Sequence, residues 1–157
     1  MKEKILEAFR ELGFKLEEEE GMGYCFNYEG LNLLYMYNEN DEEFLNIALP
    51  GIVEVEEDRM LQICALLEKI NSTLKYVKTY MLGNSVWLFY ERELFGEEDL
   101  MTVISRMILH LEAGLVFARK AMAEIEETMA NDSSADDTAE SAEEIVTEEI
   151  ADDEDIE

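Results

Sequence analysis

The segment MGYCFNYEGLNLLYMY, Met22 to Tyr37, changes character every second residue. Met22, Tyr24, Phe26 and Tyr28 share one side of an extended chain, and Gly23, Cys25 and Asn27 share the other. Aromatic side chains pack well on a pleated surface, so this half reads as a strand. Glu29-Gly30 predicts a two-residue turn, because Gly30 can take a positive φ without a Cβ clash. The second half sets Leu31, Leu33, Tyr35 and Tyr37 on one face, and Asn32, Leu34 and Met36 on the other. A hairpin is expected, and its second strand is largely apolar on both faces. Helices can cover one face; the other then needs a second subunit or a bound peptide.

Working outward, the polar turn Asn38–Glu42 leads to a third strand over Phe44–Leu49. Pro50-Gly51 should close it, since proline has no N–H for a continuing ladder. Before the hairpin, Ile5, Ala8, Phe9 and Leu12 recur at helical spacing over Lys2–Leu12. Gly13 supplies the left-handed residue that ends this helix, with Phe14 placed to fold back on its last turn. After the meander, a helix is predicted over Glu56–Asn71. Acids stand in its first turn, and Met60, Ile63, Cys64, Leu67 and Ile70 form its inward stripe. A second hairpin follows, Leu74–Leu82 and Ser85–Arg92 about Gly83-Asn84. Its return strand is apolar on both faces, so it should lie inside the sheet.

A third helix is expected from Glu97-Glu98-Asp99 to about Met129. Ile104, Ile108, Leu111, Leu115, Ala118, Met122, Ile125 and Met129 fall at alternating steps of four and three, a heptad seam. Such a helix is about 50 Å long, more than one five-stranded sheet covers. Leu111, Leu115, Ala118, Met122, Ile125 and Met129 are therefore the candidate dimer helix. The fold class is α+β: one domain over residues 1–130 in the order α-β-β-β-α-β-β-α, with a five-stranded antiparallel sheet and a long C-terminal helix. Residues 131–157 carry 13 of the 39 acids and none of the 12 bases. Their few apolar side chains cannot offset the entropy of ordering them, so a disordered acidic tail is expected.

The whole chain carries a net charge of −27, which repels nucleic-acid phosphates and anionic lipid headgroups and attracts basic proteins. Neither nucleic acid nor membrane is expected as a partner. The apolar runs fall short of the roughly 20 residues a spanning helix needs. Cys25 and Cys64 lack any metal-ligand spacing and read as reduced, inert thiols. The N-terminus opens an amphipathic helix instead of a signal peptide. A cytoplasmic location is expected.

This element order resembles the type III secretion chaperone fold. It is also the order of the YbjN-like bacterial family, loosely described as sensory-transduction regulators. The resemblance covers residues 1–130 and rests on topology, size and acidity, with the Leu49-Pro50-Gly51 strand exit as its landmark. It implies a small acidic protein, commonly dimeric, that binds extended client segments without catalysis.

The sequence carries no sign of catalysis. His110 is the only histidine and has no serine or cysteine partner at recognisable spacing, so a helix-surface or interface role is expected. The acids gather at helix starts, turns and the tail, where solvation explains them. P-loop, dinucleotide and zinc-protease motifs are missing, and no cofactor or metal is expected. Glu17–Glu20 could bind a cation or a basic partner segment, though a solvated loop is the expected reading, and Asp152-Asp153-Glu154-Asp155 lacks calcium-loop spacing. Tyr24, Phe26, Tyr28, Tyr35 and Tyr37 form the best candidate partner surface, although packing on helices or a second subunit is the plainer account. The leading reading is a non-enzymatic, homodimeric protein-binding domain that holds a protein client or basic segment. The alternatives are a self-assembling regulator and a small-molecule binder or enzyme whose site emerges only in three dimensions.

Overall fold

The computed structural model describes the backbone of residues 1–151 and the side chains of residues 1–132. The chain folds as α1 (Lys2–Glu11), β1 (Glu17–Glu19), β2 (Gly23–Tyr28), β3 (Leu31–Met36) and β4 (Phe44–Glu54). A short 3-10 turn (Glu57–Arg59) leads to α2 (Met60–Thr73), β5 (Val77–Leu82), β6 (Ser85–Glu93) and α3 (Leu100–Ala151). The class is α+β, with one antiparallel sheet in the order β1-β2-β3-β4-β6-β5.

The sheet has six strands, not five. The extra one is the glutamate run expected as a solvated loop: Glu17, Glu18 and Glu19 pair with Cys25, Tyr24 and Gly23. Composition hides it, because an edge strand exposed to water needs no apolar alternation, and charge there discourages pairing with other chains. A second difference lies at Pro50-Gly51, which bends β4 without ending it. The pairing with β6 slips between Leu49 and Val53 and then resumes with Val53↔Val86. Such a bulge accommodates the missing proline donor.

Local signals at the ends of α1 hold as expected. Gly13 has φ 87°, its N–H bonds the Arg10 carbonyl at 2.9 Å, and that of Phe14 bonds the Phe9 carbonyl at 3.0 Å. This pair is the Schellman closure, and Phe14 packs edge-on to Phe9. At the β2–β3 turn both Glu29 and Gly30 take positive φ, matching the twist of the hairpin.

The three helices lie on one face of the sheet. Phe9 from α1, Leu66 and Ile70 from α2, and Ile104, Met107, Ile108 and Leu111 from α3 join Leu33, Tyr35, Leu45, Ile47 and Leu88 in the main core. On α2 Ile63 and Ile70 are buried as expected, but Leu66 completes the stripe, while Met60 and Cys64 are exposed and Leu67 is half-buried. By length and composition, Leu100–Asp132 is apolar enough to cross a membrane, which the sequence reading overlooked. Ile104, Ile108, Leu111 and Leu115 of this segment face the core, whereas Leu109 and Val116 face outward. The tail expected over residues 131–157 lies, apart from helical backbone to Ala151 and the side chains of Asn131 and Asp132, outside the described residues.

The free edge of β5 is capped by a side chain. Asn71 on α2 donates its amide to the Thr79 carbonyl (2.9 Å), and its oxygen accepts the Thr79 N–H (2.8 Å). Asn71 thus does for Thr79 what a neighbouring strand would do. Asn71→Ala should lower stability by about 1–3 kcal/mol, the cost of orphaning two backbone groups. It should also increase concentration-dependent aggregation through the opened edge. Urea unfolding with light scattering checks both, and a variant indistinguishable from wild type in each would contradict the assignment.

Candidate functional site

The five aromatics proposed as a partner surface lie on the helix-covered face. Register pairs Tyr24 with Tyr35 and Phe26 with Leu33, so these side chains share a side of the sheet. Phe9 inserts among them, with ring centroids 4.9 Å from Phe26 and 5.6 Å from Tyr35. Phe26 and Tyr35 are buried, and Tyr24, Tyr28 and Tyr37 sit half-buried at the margin. Burial raises the Tyr35 phenol well above its ordinary value, Tyr37 and Tyr24 adding to the effect. The set is core packing with a polar fringe, where Tyr37 donates to Glu42 at 2.6 Å.

The candidate dimer helix is likewise occupied from within. Leu111, Leu115, Ala118 and Met122 are buried in the chain's own core, and Ile125 packs partly against it; Met129 is half-buried farther along. Residues before and within α2 reach this far along α3: Arg59 pairs with Glu126, and Lys69 with Glu124 at 3.8 Å. The seam needs no outside partner as far as Met122.

The uncovered surface is the other face of the sheet. A second buried cluster forms there from Leu34, Ala48 and Phe89, flanked by Cys25, Met36 and Trp87, and no helical residue joins it. The register explains its shape: Cys25, Leu34, Ala48 and Phe89 stand opposite one another on successive strands. Tyr80 stacks on Phe89 at 4.1 Å and 5°, and Trp87 stacks beside Phe89 at 5.9 Å and 15°. Three parallel rings thus lie across β5 and β6, and Tyr80 is 40% exposed. At the other end, Met22, Met36, Phe44, Asn46 and Glu91 line an open cleft of about 340 Å³. Asn46 donates to Glu91 at 2.7 Å, while its own oxygen is buried without a partner.

Cys25 and His110 are both engaged within the fold. Burial raises the Cys25 thiol, and Glu19 and Glu17 raise it further, so the nucleophilic thiolate is scarce. His110 donates from Nδ1 to the Arg106 carbonyl at 2.7 Å and meets the Tyr76 and Tyr90 rings edge-on. Among the described residues, no group of three or more His, Cys, Asp or Glu side chains is placed to hold a metal.

No family model matches the chain, and no curated protein matches it in sequence. Solved structures do. YbjN from E. coli superposes with a TM-score of 0.58 at 13% identity, covering 75% of this chain and 90% of that one. The fold is YbjN-like. An uncharacterized protein from Methanothermobacter thermautotrophicus shares it, with a TM-score of 0.52 at 18% identity over 81% of this chain and 97% of that one. At these identities the likeness concerns the backbone alone.

Within this YbjN-like sheet, the residues that sequence reading did not single out are Tyr80, Trp87 and Phe89. For Trp87 and Phe89 the signal was the return strand apolar on both faces, which correctly placed β6 inside the sheet. Apolarity on two faces leaves open which of them a helix covers.

The approach to α3 carries a pH-sensitive device. Glu98 accepts the N–H groups of Phe95 (2.8 Å) and Gly96 (2.9 Å), with Arg92 at 3.6 Å, and these contacts lower its carboxyl below the ordinary 4.5. Asp99 caps α3 through Thr102, whose hydroxyl donates at 2.7 Å, and is lowered below 3.8. A lowered carboxylate stabilises the fold above its unfolded value and loses that contribution as pH falls through the folded value. Glu98→Gln should therefore melt below wild type at neutral pH, and the gap should close as the pH drops under about 4.5. Paired melts across pH 3–7 measure this; a gap constant with pH would refute it.

Proposed function

We propose that the chain is a non-enzymatic protein-binding domain of regulatory or chaperone-like kind. The observation that carries this reading is the asymmetry of the sheet: three helices on one face, and on the other an aromatic and apolar surface that no helix covers. Leu34, Ala48 and Phe89 are themselves buried there, and the half-buried Cys25, Met36 and Trp87 with the exposed Tyr80 supply the surface that a partner would meet. The regulatory sense agrees with the description of YbjN as a candidate transcription regulator. With a net charge of −27, contact with proteins is favoured over contact with nucleic acid. Pull-down at modest salt with the full chain, followed by mass spectrometry, should recover partners that a Tyr80→Glu variant loses. A wild-type chain that reproducibly captures nothing would remove the proposal.

A second reading, self-association as a homodimer, is favoured by the outward side of α3. Leu109 and Val116, one heptad apart, are 52% and 63% exposed. Light scattering should then show a dimer that Val116→Glu dissociates; a monomeric wild type would dispose of it.

A further inference from the structure

The open sheet face has an acidic rim. By register, Glu17 stands opposite Cys25, Glu19 opposite Gly23, Glu91 opposite Asn46 and Glu93 opposite Phe44, so all four acids share that face. The bases there are Lys78, which is bonded to Glu91, and Lys15, which reaches Glu17 from the preceding loop. Asn46 donates to Glu91 with its own oxygen buried, so the accessible acceptors at this end are the carboxylates of Glu91 and Glu93. Met36 stands between the acids of β1 and those of β6, and Phe89, Trp87 and Tyr80 run on from Glu91 toward the β5–β6 turn. An aromatic face attracts a guanidinium or ammonium group as well as apolar side chains.

We infer that this face, on the protein-binding reading above, docks an extended basic segment of another protein. An arginine or lysine of that segment meets Glu91 and Glu93, a second meets Glu17 and Glu19, and an apolar side chain lies over Trp87 and Tyr80. Charge selects this occupant over the two nearest alternatives. A second copy would set acidic rim against acidic rim, and the chain's own tail brings only more acids; like charges across an interface oppose both.

Trp87 is the only tryptophan in the chain, so its emission reports occupancy of this face. The probes are three short synthetic peptides with the same Leu and Phe pattern, whose intervening residues are Arg, Ser or Glu, titrated into the full chain. The Arg peptide should shift Trp87 emission and bind at least about tenfold tighter than the Ser peptide at low salt, an advantage that high salt removes. The Glu peptide should leave the emission unchanged. Glu17→Gln/Glu19→Gln should weaken the Arg peptide several-fold, while Glu3→Gln/Glu11→Gln on α1 should not. Equal binding of the Arg and Ser peptides would overturn the basic partner and leave the protein-binding reading standing. An emission change on diluting the chain alone, with a dimer in light scattering, would assign the face to a second copy and overturn it too. Silence from all three peptides, with pull-down partners retained by Tyr80→Glu, would move the binding surface elsewhere. Silence together with an empty pull-down would defeat both proposals.

Discussion

Gly23→Ala should abolish the native fold or cost about 3 kcal/mol or more, the largest effect expected of any single methyl group in this chain. Gly23 has φ 142°, and a Cβ there would sit on the Tyr35 carbonyl oxygen, with the Tyr35 carbonyl carbon at 3.0 Å and the Met36 Cα at 3.1 Å. All three atoms belong to the backbone of the adjacent strand, so no side chain can swing aside. Gly23 pairs with Met36 on one side and Glu19 on the other, which puts the strain at the junction of β1, β2 and β3. Gly13→Ala is the control. It shares a positive φ but meets nothing within 4 Å, so its cost should be the smaller conformational one. Circular dichroism and urea unfolding of the two variants measure the difference, and equal losses would show that the close approach is not what matters at Gly23.

Phe9→Ala should cost about 3–5 kcal/mol. Its ring is fully buried and touches Phe14, Phe26 and Tyr35, linking the Schellman closure of α1 to the first hairpin. Removing it leaves a cavity that α1 cannot collapse into, because Ile5 and Leu6 on the same helix are already held in the core. Phe14→Ala should lose less, since Phe14 is only half-buried. The two urea midpoints decide the point: a Phe9→Ala variant no weaker than Phe14→Ala would show that α1 packs loosely.

Residues with local consequences were legible in the sequence. Gly13 followed by Phe14 announced the end of α1, and Glu29-Gly30 announced the hairpin, because each depends on the conformational preferences of two or three neighbouring residues. The inner position of β6 was legible from its apolarity on both faces. The glutamate strand β1 was not, since water-facing edges leave no apolar pattern. Pro50-Gly51 misled for a similar reason: proline forbids one ladder bond, while a bulge lets the strand bypass it and go on.

The site was less legible than the fold. Tyr24, Phe26, Tyr28, Tyr35 and Tyr37 were read as the best candidate surface, yet Phe9 takes the space above them. The α3 seam asked for a second helix, and it met α1, α2 and the sheet of its own chain. In both cases the sequence alone determined that an apolar stripe must be covered, through periodicity. Which body covers it depends on where distant segments come to rest, and only the tertiary structure decided that. With three helices committed to one face, the free surface fell to Cys25, Met36, Tyr80 and Trp87, residues far apart in sequence that only strand pairing brings together.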